Sequence, residues 1–312
     1  MATDYNFDDV ETVKINEETP QLCQILYDDE YKHTIGILLG LLQIREYSER
    51  ALYLTEKALE LLASHYTIWI YRYDILVHLN KDLFEELDWC EQVALENEKN
   101  YQIWNYRQLI ITRILATTDE SSKKKFDPHR EFPILQSMLE SDPKNHHVWS
   151  YRMWLVKKFN LFKDDRENEF VNKCISADLW NNSAWSHRFF LKFSQEKDIP
   201  EETFATEKVY VQDYIIESPQ NPSTWNYLTG IYKKYNKSIV DLEDFCLKFV
   251  DIEKIDDPNY VKSSFAIELL AKIFVKQQKN EASIQLYDIL GSKYDPIRSN
   301  YWDYEKKKLI SH

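Results

Sequence analysis

Aromatic and aliphatic residues recur along this chain at a spacing that predicts stacked helices. A phrase of four residues, in which tryptophan is followed by a variable residue, a ring-bearing residue and usually arginine, occurs five times, at intervals of 35, 45, 36 and 40 residues. It begins at Trp69, Trp104, Trp149, Trp185 and Trp225. A period of this size is typical of repeated supersecondary units, none of which buries its apolar face alone.

Each repeat is predicted to be a helical hairpin. The tryptophan and arginine of the phrase lie three positions apart and therefore share a helix face, and the residue six positions after tryptophan is always aliphatic. In the second repeat this periodicity predicts helices over 83–97 and 101–115. Asparagine stands four positions before tryptophan in four repeats, where its amide can cap the following helix. These asparagines are Asn100, Asn145, Asn181 and Asn221.

The remaining segments complete the predicted organisation. Residues 1–25 are acidic and lack periodicity, which predicts a flexible tail, and a single helical repeat domain is expected over 26–312. The phrase is absent from 237–312, but apolar periodicity over 263–277 and 281–290 predicts atypical terminal helices. The predicted fold is therefore all-α. It is expected to be a right-handed superhelical solenoid (an α-α superhelix) of stacked antiparallel hairpins, tetratricopeptide-like and crescent-shaped.

Composition and charge argue against several classes of protein. The 312 residues include four glycines, and neither GxGxxG nor GxxxxGK[ST] occurs, which argues against Rossmann and P-loop enzymes. The net charge of −13 argues against nucleic acid as a partner, because phosphate contacts need a basic surface. Four widely spaced cysteines predict reduced thiols, no metal site in this chain and a cytoplasmic location. The apolar run 35–44 is too short to span a bilayer.

Residues that occur in only some repeats are candidates for function. Lysine stands five positions before tryptophan only in the second and third repeats. These repeats read Lys99-Asn100-Tyr101-Gln102 and Lys144-Asn145-His146-His147. Both segments lie at predicted helix N-termini, where free N–H groups and the helix dipole favour an anion. The two segments either converge on one phosphate-like ligand or solvate two separate loops.

Two further features have both a structural and a functional interpretation. The arginine of the phrase either pairs between hairpins or contributes to a row of anion-binding groups, and the helix face that it shares with tryptophan favours the structural role. These arginines are Arg72, Arg107, Arg152 and Arg188. The polar insertion 117–125, which lengthens the third repeat, is either a contact site or a tolerated surface loop.

The lysine-bearing phrases resemble a known family. The pattern Lys-Asn-Tyr/His-Gln/His-x-Trp-x-Tyr-Arg, repeated about every 35–45 residues, is similar to the repeat of the α subunits of protein prenyltransferases. The resemblance covers roughly residues 50–235, and generic tetratricopeptide repeats lack this phrase. It is strongest to the α subunit shared by farnesyltransferase and geranylgeranyltransferase type I.

The resemblance implies a heterodimeric enzyme. In that family the α subunit wraps around a β subunit, which holds the catalytic zinc and the isoprenoid cavity, and magnesium can assist the farnesyltransferase form. The enzyme transfers a farnesyl or geranylgeranyl group from its diphosphate to the cysteine of a C-terminal CaaX sequence, as in Ras- and Rho-type small GTPases. This chain is then expected to need its β subunit for solubility or activity.

The resemblance also assigns roles by motif position. Lys99 matches the lysine that stabilises charge on the diphosphate leaving group, Tyr101 a tyrosine lining the same region, and Gln102 the glutamine that meets the substrate carboxylate. In the next repeat Asn145 and His147 match the family's asparagine and histidine. The family usually has tyrosine where this chain has His146, although a protonated histidine could also contact an anion.

Two other functions stay open at this point. The α subunit of the Rab-type geranylgeranyltransferase shares the repeat, although Lys99 and Gln102 favour the CaaX enzymes. A non-catalytic helical-repeat scaffold would also carry periodic tryptophan and tyrosine. The paired lysine-asparagine phrases favour an enzyme subunit over a scaffold, because stacking of the repeats does not require them.

Overall fold

The computed structural model describes residues 5–15, 22–23, 25–118, 124–195 and 200–310. Across these residues it contains fifteen α-helices and no β-strand beyond one isolated bridge, which joins Val250 and Val261. The all-α prediction is therefore confirmed. The chain divides into two compact units, Met1–Leu155 and Val156–His312. Each unit is built from consecutive helices that pack against each other.

The first unit contains the first three tryptophan phrases. Its helices are α1 (Asp29–Gln43), α2 (Glu49–Leu61), α3 (Tyr66–His78), α4 (Leu83–Glu96), α5 (Tyr101–Thr117), a 3-10 helix (Pro128–Glu131), α6 (Phe132–Ser141) and the first part of α7 (His146–Phe159). The observed α4 and α5 agree with the helices predicted for the second repeat to within two residues at each end. Of the polar insertion 117–125, residues 119–123 lie outside the described residues.

The second unit contains the end of α7, the last two phrases and the atypical C-terminal helices. Its α-helices are α8 (Asp165–Ala177), α9 (Asn182–Phe193), α10 (Glu201–Glu217), α11 (Pro222–Lys234), α12 (Glu243–Cys246), α13 (Ser264–Lys276), α14 (Asn280–Ile289) and α15 (Ser299–Ile310). Short 3-10 helices are Leu161–Lys163, Ile239–Leu242, Ile252–Lys254, Pro258–Tyr260 and Pro296–Arg298, and a π-helix follows α14 at Leu290–Tyr294. The helices predicted over 263–277 and 281–290 are thus present as α13 and α14.

The repeated asparagine caps a helix and also joins neighbouring hairpins. In the second repeat the Oδ1 atom of Asn100 accepts a hydrogen bond of 2.8 Å from the Gln102 backbone N–H, as the sequence predicts. Its Nδ2 atom donates to the carbonyl of Ala63 at 2.6 Å, and the indole N–H of Trp69 donates to the same carbonyl at 2.7 Å. The Ala63 carbonyl therefore accepts hydrogen bonds from the tryptophan of its own repeat and from the asparagine of the next repeat.

A buried acid between consecutive phrases explains the repeated arginine. Glu131 accepts two hydrogen bonds from Arg107, at 2.9 and 2.8 Å, and one from the Tyr151 hydroxyl at 2.8 Å. Both charged side chains are fully buried. The same arrangement joins Arg72, Glu86 and Tyr106, and also Arg188, Glu207 and Tyr227. These buried contacts confirm the structural role of Arg72, Arg107 and Arg188.

The described part of the N-terminal segment lies against the first hairpin. In residues 5–15, Asp9 forms a bidentate pair with Arg50 of α2, at 2.7 and 2.9 Å. The carbonyl of Glu11 packs so closely on Gly40 of α1 that a methyl group there would collide with backbone. The Asp9–Arg50 ion pair and the packing of the Glu11 carbonyl on Gly40 thus hold part of the predicted tail against the first hairpin. The proposed domain boundary at residue 25 and the flexibility of the whole stretch stay predictions.

Candidate functional site

The start of α5 presents three of the residues singled out in the sequence. Lys99 directly precedes the helix cap, and 72% of its side chain is exposed. Tyr101 is the first helical residue and is 53% exposed. The side-chain amide of Gln102 donates to the Tyr101 hydroxyl at 3.1 Å and to the Ser64 carbonyl at 3.3 Å. The cap therefore turns a lysine, a phenol and an amide toward solvent at one helix N-terminus.

The start of α7 repeats this arrangement one hairpin later. Asn145 is 3% exposed, and its Oδ1 atom accepts hydrogen bonds from the backbone N–H groups of His147 and Val148, at 3.1 and 3.4 Å. Its Nδ2 atom donates to the Glu98 carbonyl at 2.9 Å, in the residue just before Lys99. The Oδ1 atom thus caps α7, and the Nδ2 atom joins α7 to the residue before Lys99. A direct substrate contact by Asn145 stays a prediction.

The two histidines lie beside the residues of the preceding repeat. The ring of His147 lies 5.9 Å from that of Tyr101 and 5.7 Å from that of His146, measured between centroids. His146 is exposed and His147 is half-buried. Partial burial lowers the pKa of His147, and the nearby positive groups His146 and Lys99 lower it further. The lowered pKa favours the neutral His147 ring, which has one donor and one acceptor nitrogen.

An ion pair joins the segment before α5 to the segment before α7. The Lys99 ammonium group contacts the carboxylate of Asp142, which lies just before α7. This hydrogen bond lowers the pKa of Asp142. The six predicted site residues are consequently gathered at one edge, which we call the Lys99 edge: Lys99, Tyr101, Gln102, Asn145, His146 and His147. An anion that binds Lys99 would have to compete with the Asp142 carboxylate.

An apolar groove adjoins the Lys99 edge. It has a volume of about 310 Å³ and lies between α3 and α5. Tyr101 and Gln102 form one end, so the groove and the Lys99 edge share two residues. Tyr66 and Ile70 of α3 are also lining residues and are 62% and 55% exposed. Large exposed apolar side chains next to a cationic edge form a surface suited to an amphiphilic ligand or a partner chain.

Sequence reasoning missed the α3 side of this groove, although the repeats contain a signal for it. Tyr66 stands three positions before Trp69, as Tyr101 does before Trp104. Ile70 follows Trp69 at a position where the other four repeats have a polar residue. Those polar residues are Asn105, Ser150, Ser186 and Asn226. An aliphatic side chain at an otherwise polar, exposed position marks the groove.

None of the helices in the described ranges is long and apolar enough to cross a bilayer. Among the same residues, no three His, Cys, Asp or Glu side chains are placed to hold one metal ion. The cysteines at 23, 90, 174 and 246 form no disulfide within the described part of the chain.

Comparison with known proteins identifies relatives along nearly the whole chain. The family model for the protein prenyltransferase alpha subunit repeat matches residues 83–114, 128–159 and 164–191. The farnesyltransferase/geranylgeranyltransferase type-1 subunit alpha of Candida albicans is 58% identical over 308 residues, which cover 98% of each chain. The corresponding Dictyostelium discoideum subunit is 30% identical over 95% of this chain and 90% of that protein.

A solved structure agrees with these relatives. The structure is described as Candida albicans protein geranylgeranyltransferase-I complexed with GGPP. Its matching chain superposes with a TM-score of 0.91 at 57% identity, and the match covers 98% of this chain and 99% of that one. The similarity therefore extends beyond the three segments that the family model matches.

Proposed function

This chain belongs to the family of alpha subunits of protein farnesyltransferase/geranylgeranyltransferase type-1, and from that premise we propose that its Lys99 edge binds the diphosphate of a prenyl donor. The family places the chain in a heterodimeric prenyltransferase. The observation that carries the proposal is the convergence of two separate repeats on one exposed edge, where Lys99 and His147 lie at neighbouring helix N-termini. Helix N-termini and an ammonium group together favour a phosphate-type anion.

The proposed chemical role of Lys99 is to stabilise the leaving group. When a thiolate attacks C1 of the isoprenoid, negative charge grows on the departing diphosphate oxygen. An ammonium group hydrogen-bonded to that oxygen lowers the barrier, because the interaction strengthens as the charge develops. In the free chain the Lys99 ammonium group forms an ion pair with the carboxylate of Asp142. We infer that the diphosphate replaces this carboxylate, while Tyr101 and His147 contribute hydrogen bonds from the same edge.

The remaining chemistry is assigned to a β subunit and its substrates. The described residues of this chain bring together no metal-binding cluster, so a catalytic zinc would take its ligands from the partner. Zinc would lower the pKa of the substrate thiol and supply a thiolate. We propose farnesyl and geranylgeranyl diphosphate as donors and CaaX-terminated proteins, including Ras- and Rho-type GTPases, as acceptors. Magnesium dependence in the farnesyl form and a cytoplasmic location belong to the same proposal.

The test is prenyl transfer by the heterodimer assembled with its β subunit. Lys99→Ala is expected to lower the single-turnover rate about 10²–10³-fold, the usual cost of removing one transition-state donor. Heterodimer formation, followed by size-exclusion chromatography, should be unchanged. Lys57→Ala is the matched control, because Lys57 is also exposed and paired with an acid, Glu60, in α2. An unchanged single-turnover rate in Lys99→Ala would refute the assignment.

Gln102 has its own test. If its amide meets the terminal carboxylate of the acceptor, the wild-type heterodimer should prefer a CaaX peptide with a free carboxylate over its C-terminal amide. Gln102→Ala should raise KM for the free-acid peptide and shrink that preference, with little effect on the amidated peptide. An equal loss toward both peptides would show that Gln102 acts through the Tyr101 hydroxyl and Ser64 carbonyl instead.

A further inference from the structure

One repeat carries a lysine where all the others carry a core residue. The residue seven positions after tryptophan is apolar and buried in the first, second, third and fifth repeats. These residues are Leu76, Ile111, Val156 and Tyr232. In the fourth repeat the same position is Lys192, on α9. A long cationic side chain at a core position costs stability unless a compensating group meets it.

The facing helix also presents a polar residue in this repeat. The residue directly after the buried glutamate is apolar in the second and third repeats, Leu87 and Phe132, and polar in the fourth and fifth, Asn168 and Lys208. The Lys192 ammonium group donates to Asn168 Oδ1 at 3.0 Å. The amide group of Asn168 carries no net charge, so this hydrogen bond stabilises the ammonium group without neutralising its charge. Among the described residues no carboxylate forms a salt bridge with Lys192.

Lys192 and Asn168 lie in the wall of a polar cavity within the second unit. The cavity has a volume of about 550 Å³ and is bounded by α8, α9, the 3-10 helix Leu161–Lys163 and the start of α10. Its described lining residues are Phe162, Lys163, Asp165, Asn168, Asn172, Arg188, Leu191, Lys192, Gln195, Pro200 and Thr203. We call it the Lys192 pocket.

The charges in the Lys192 pocket are unequally compensated. Arg188 already forms a bidentate pair with Glu207, at 2.8 and 2.7 Å. Asp165 is the carboxylate among the described lining residues, and it is exposed. Lys192 is half-buried, and burial together with the neighbouring Arg188 lowers its pKa, although Glu207 opposes this effect. The half-buried Lys192 is therefore a cation of the cavity wall to which the described residues supply no salt-bridge carboxylate.

We propose that the Lys192 pocket binds a small tetrahedral oxyanion of the phosphate class. Such an ion supplies the missing negative charge and enough acceptor oxygens for several donors at once. The donors are the Lys192 ammonium group, the Asn172 amide and the Thr203 hydroxyl, all of which line the cavity. The site is formed by described residues of the ranges 162–195 and 200–203 and uses none of the residues of the Lys99 edge, so it does not depend on the proposed transfer function.

The experiment is a calorimetric titration of the heterodimer, assembled with its β subunit, with inorganic phosphate at constant ionic strength. All samples carry Lys99→Ala, which removes the proposed diphosphate site. Saturable binding at millimolar phosphate is expected in this background. Adding Lys192→Leu should weaken binding at least about tenfold, whereas Lys192→Arg should retain it. Lys173→Gln, on the exposed side of α8, is the matched control and should leave binding unchanged.

Folding is monitored separately. Because the other repeats have apolar residues at this position, Lys192→Leu is expected to fold and to unfold at the same or a higher temperature. In Lys99→Ala protein with Lys192 intact, phosphate should raise the unfolding temperature by about 3 °C at tenfold excess over Kd. The proposal is overturned if phosphate does not bind at all, or if it binds the Lys192→Leu protein as tightly as the parent.

Discussion

Polar groups of two kinds occur in the first unit, and they differ in how they repeat. The ion pair of Arg107 and Glu131 is fully buried, and equivalent groups recur in other hairpins. Lys99 and His147 are at least partly exposed, and they belong to repeats that differ from the rest. A buried polar residue that recurs in several hairpins holds the hairpins together. A polar residue that only two neighbouring hairpins carry, at the surface, is available to a ligand.

Breaking a buried triad should have the largest effect on stability. Glu131→Ala leaves the Arg107 guanidinium group and the Tyr151 hydroxyl buried without their acceptor. The free energy of unfolding should fall by about 3–5 kcal/mol, measured by urea unfolding. Glu140→Ala, which removes an exposed acid on the adjacent helix α6, should change it by less than about 0.5 kcal/mol. Similar losses in the two variants would remove the distinction between buried and exposed acids.

Asn145 tests the boundary between the two kinds of group, because it is buried yet belongs to the Lys99 edge. Asn145→Ala removes the cap of α7 and the hydrogen bond to the Glu98 carbonyl, and should cost about 1–2 kcal/mol in urea unfolding. Asn145→Asp keeps the acceptor and loses the donor, so it should cost less. A stability unchanged by Asn145→Ala would make this residue a ligand contact rather than a connector.

Lys99→Ala sharpens the comparison from the exposed side. Its ion pair with Asp142 lies at the surface, where such pairs contribute about 0–1 kcal/mol, so unfolding should shift within that range. The transfer rate of the heterodimer should nevertheless fall strongly, as described above. Urea unfolding and single-turnover kinetics on one protein preparation separate the two effects. A large loss of stability would place Lys99 with the structural groups.

The smallest expected effect is the pH dependence that His147 contributes. Burial, His146 and Lys99 lower its pKa in the folded chain, so the unfolded chain binds a proton more readily. Stability from the neutral ring is therefore present above the unfolded pKa of about 6.5 and is lost as pH falls below it. His147→Gln should flatten this part of the stability profile. In Lys99→Ala, an NMR titration should show a higher His147 pKa; a lower one would contradict the electrostatic coupling.

The sequence predicted the parts of the fold that depend on local periodicity. The helices of the second repeat, the asparagine caps and the inward role of the phrase arginines are all present. The buried acids were not predicted. Glu86, Glu131 and Glu207 stand 20 residues before the ring residues that they bind, but acids are common on helix surfaces, so their burial gave no local signal.

The candidate site was predicted as residues but not as a surface. Motif position selected Lys99, Tyr101 and Gln102, and the structure brings them beside His147. The ion pair with Asp142 depends on the packing of two hairpins 43 residues apart, which sequence spacing alone does not give. The α3 side of the apolar groove was missed for a different reason. A single exposed apolar residue such as Ile70 stands out only when the same position is compared across all the repeats.

The order of the groups in each buried triad has a consequence for protein synthesis. The arginine precedes its glutamate by 14, 24 or 19 residues, and the tyrosine follows the glutamate by 20. A chain that leaves the ribosome from its N-terminus therefore always exposes the cation before the carboxylate that must be buried against it. Shortening the gene from its 3′ end, between the two members of a pair, would strand an arginine at the new last hairpin, whereas shortening it from its 5′ end would strand an acid at the new first hairpin.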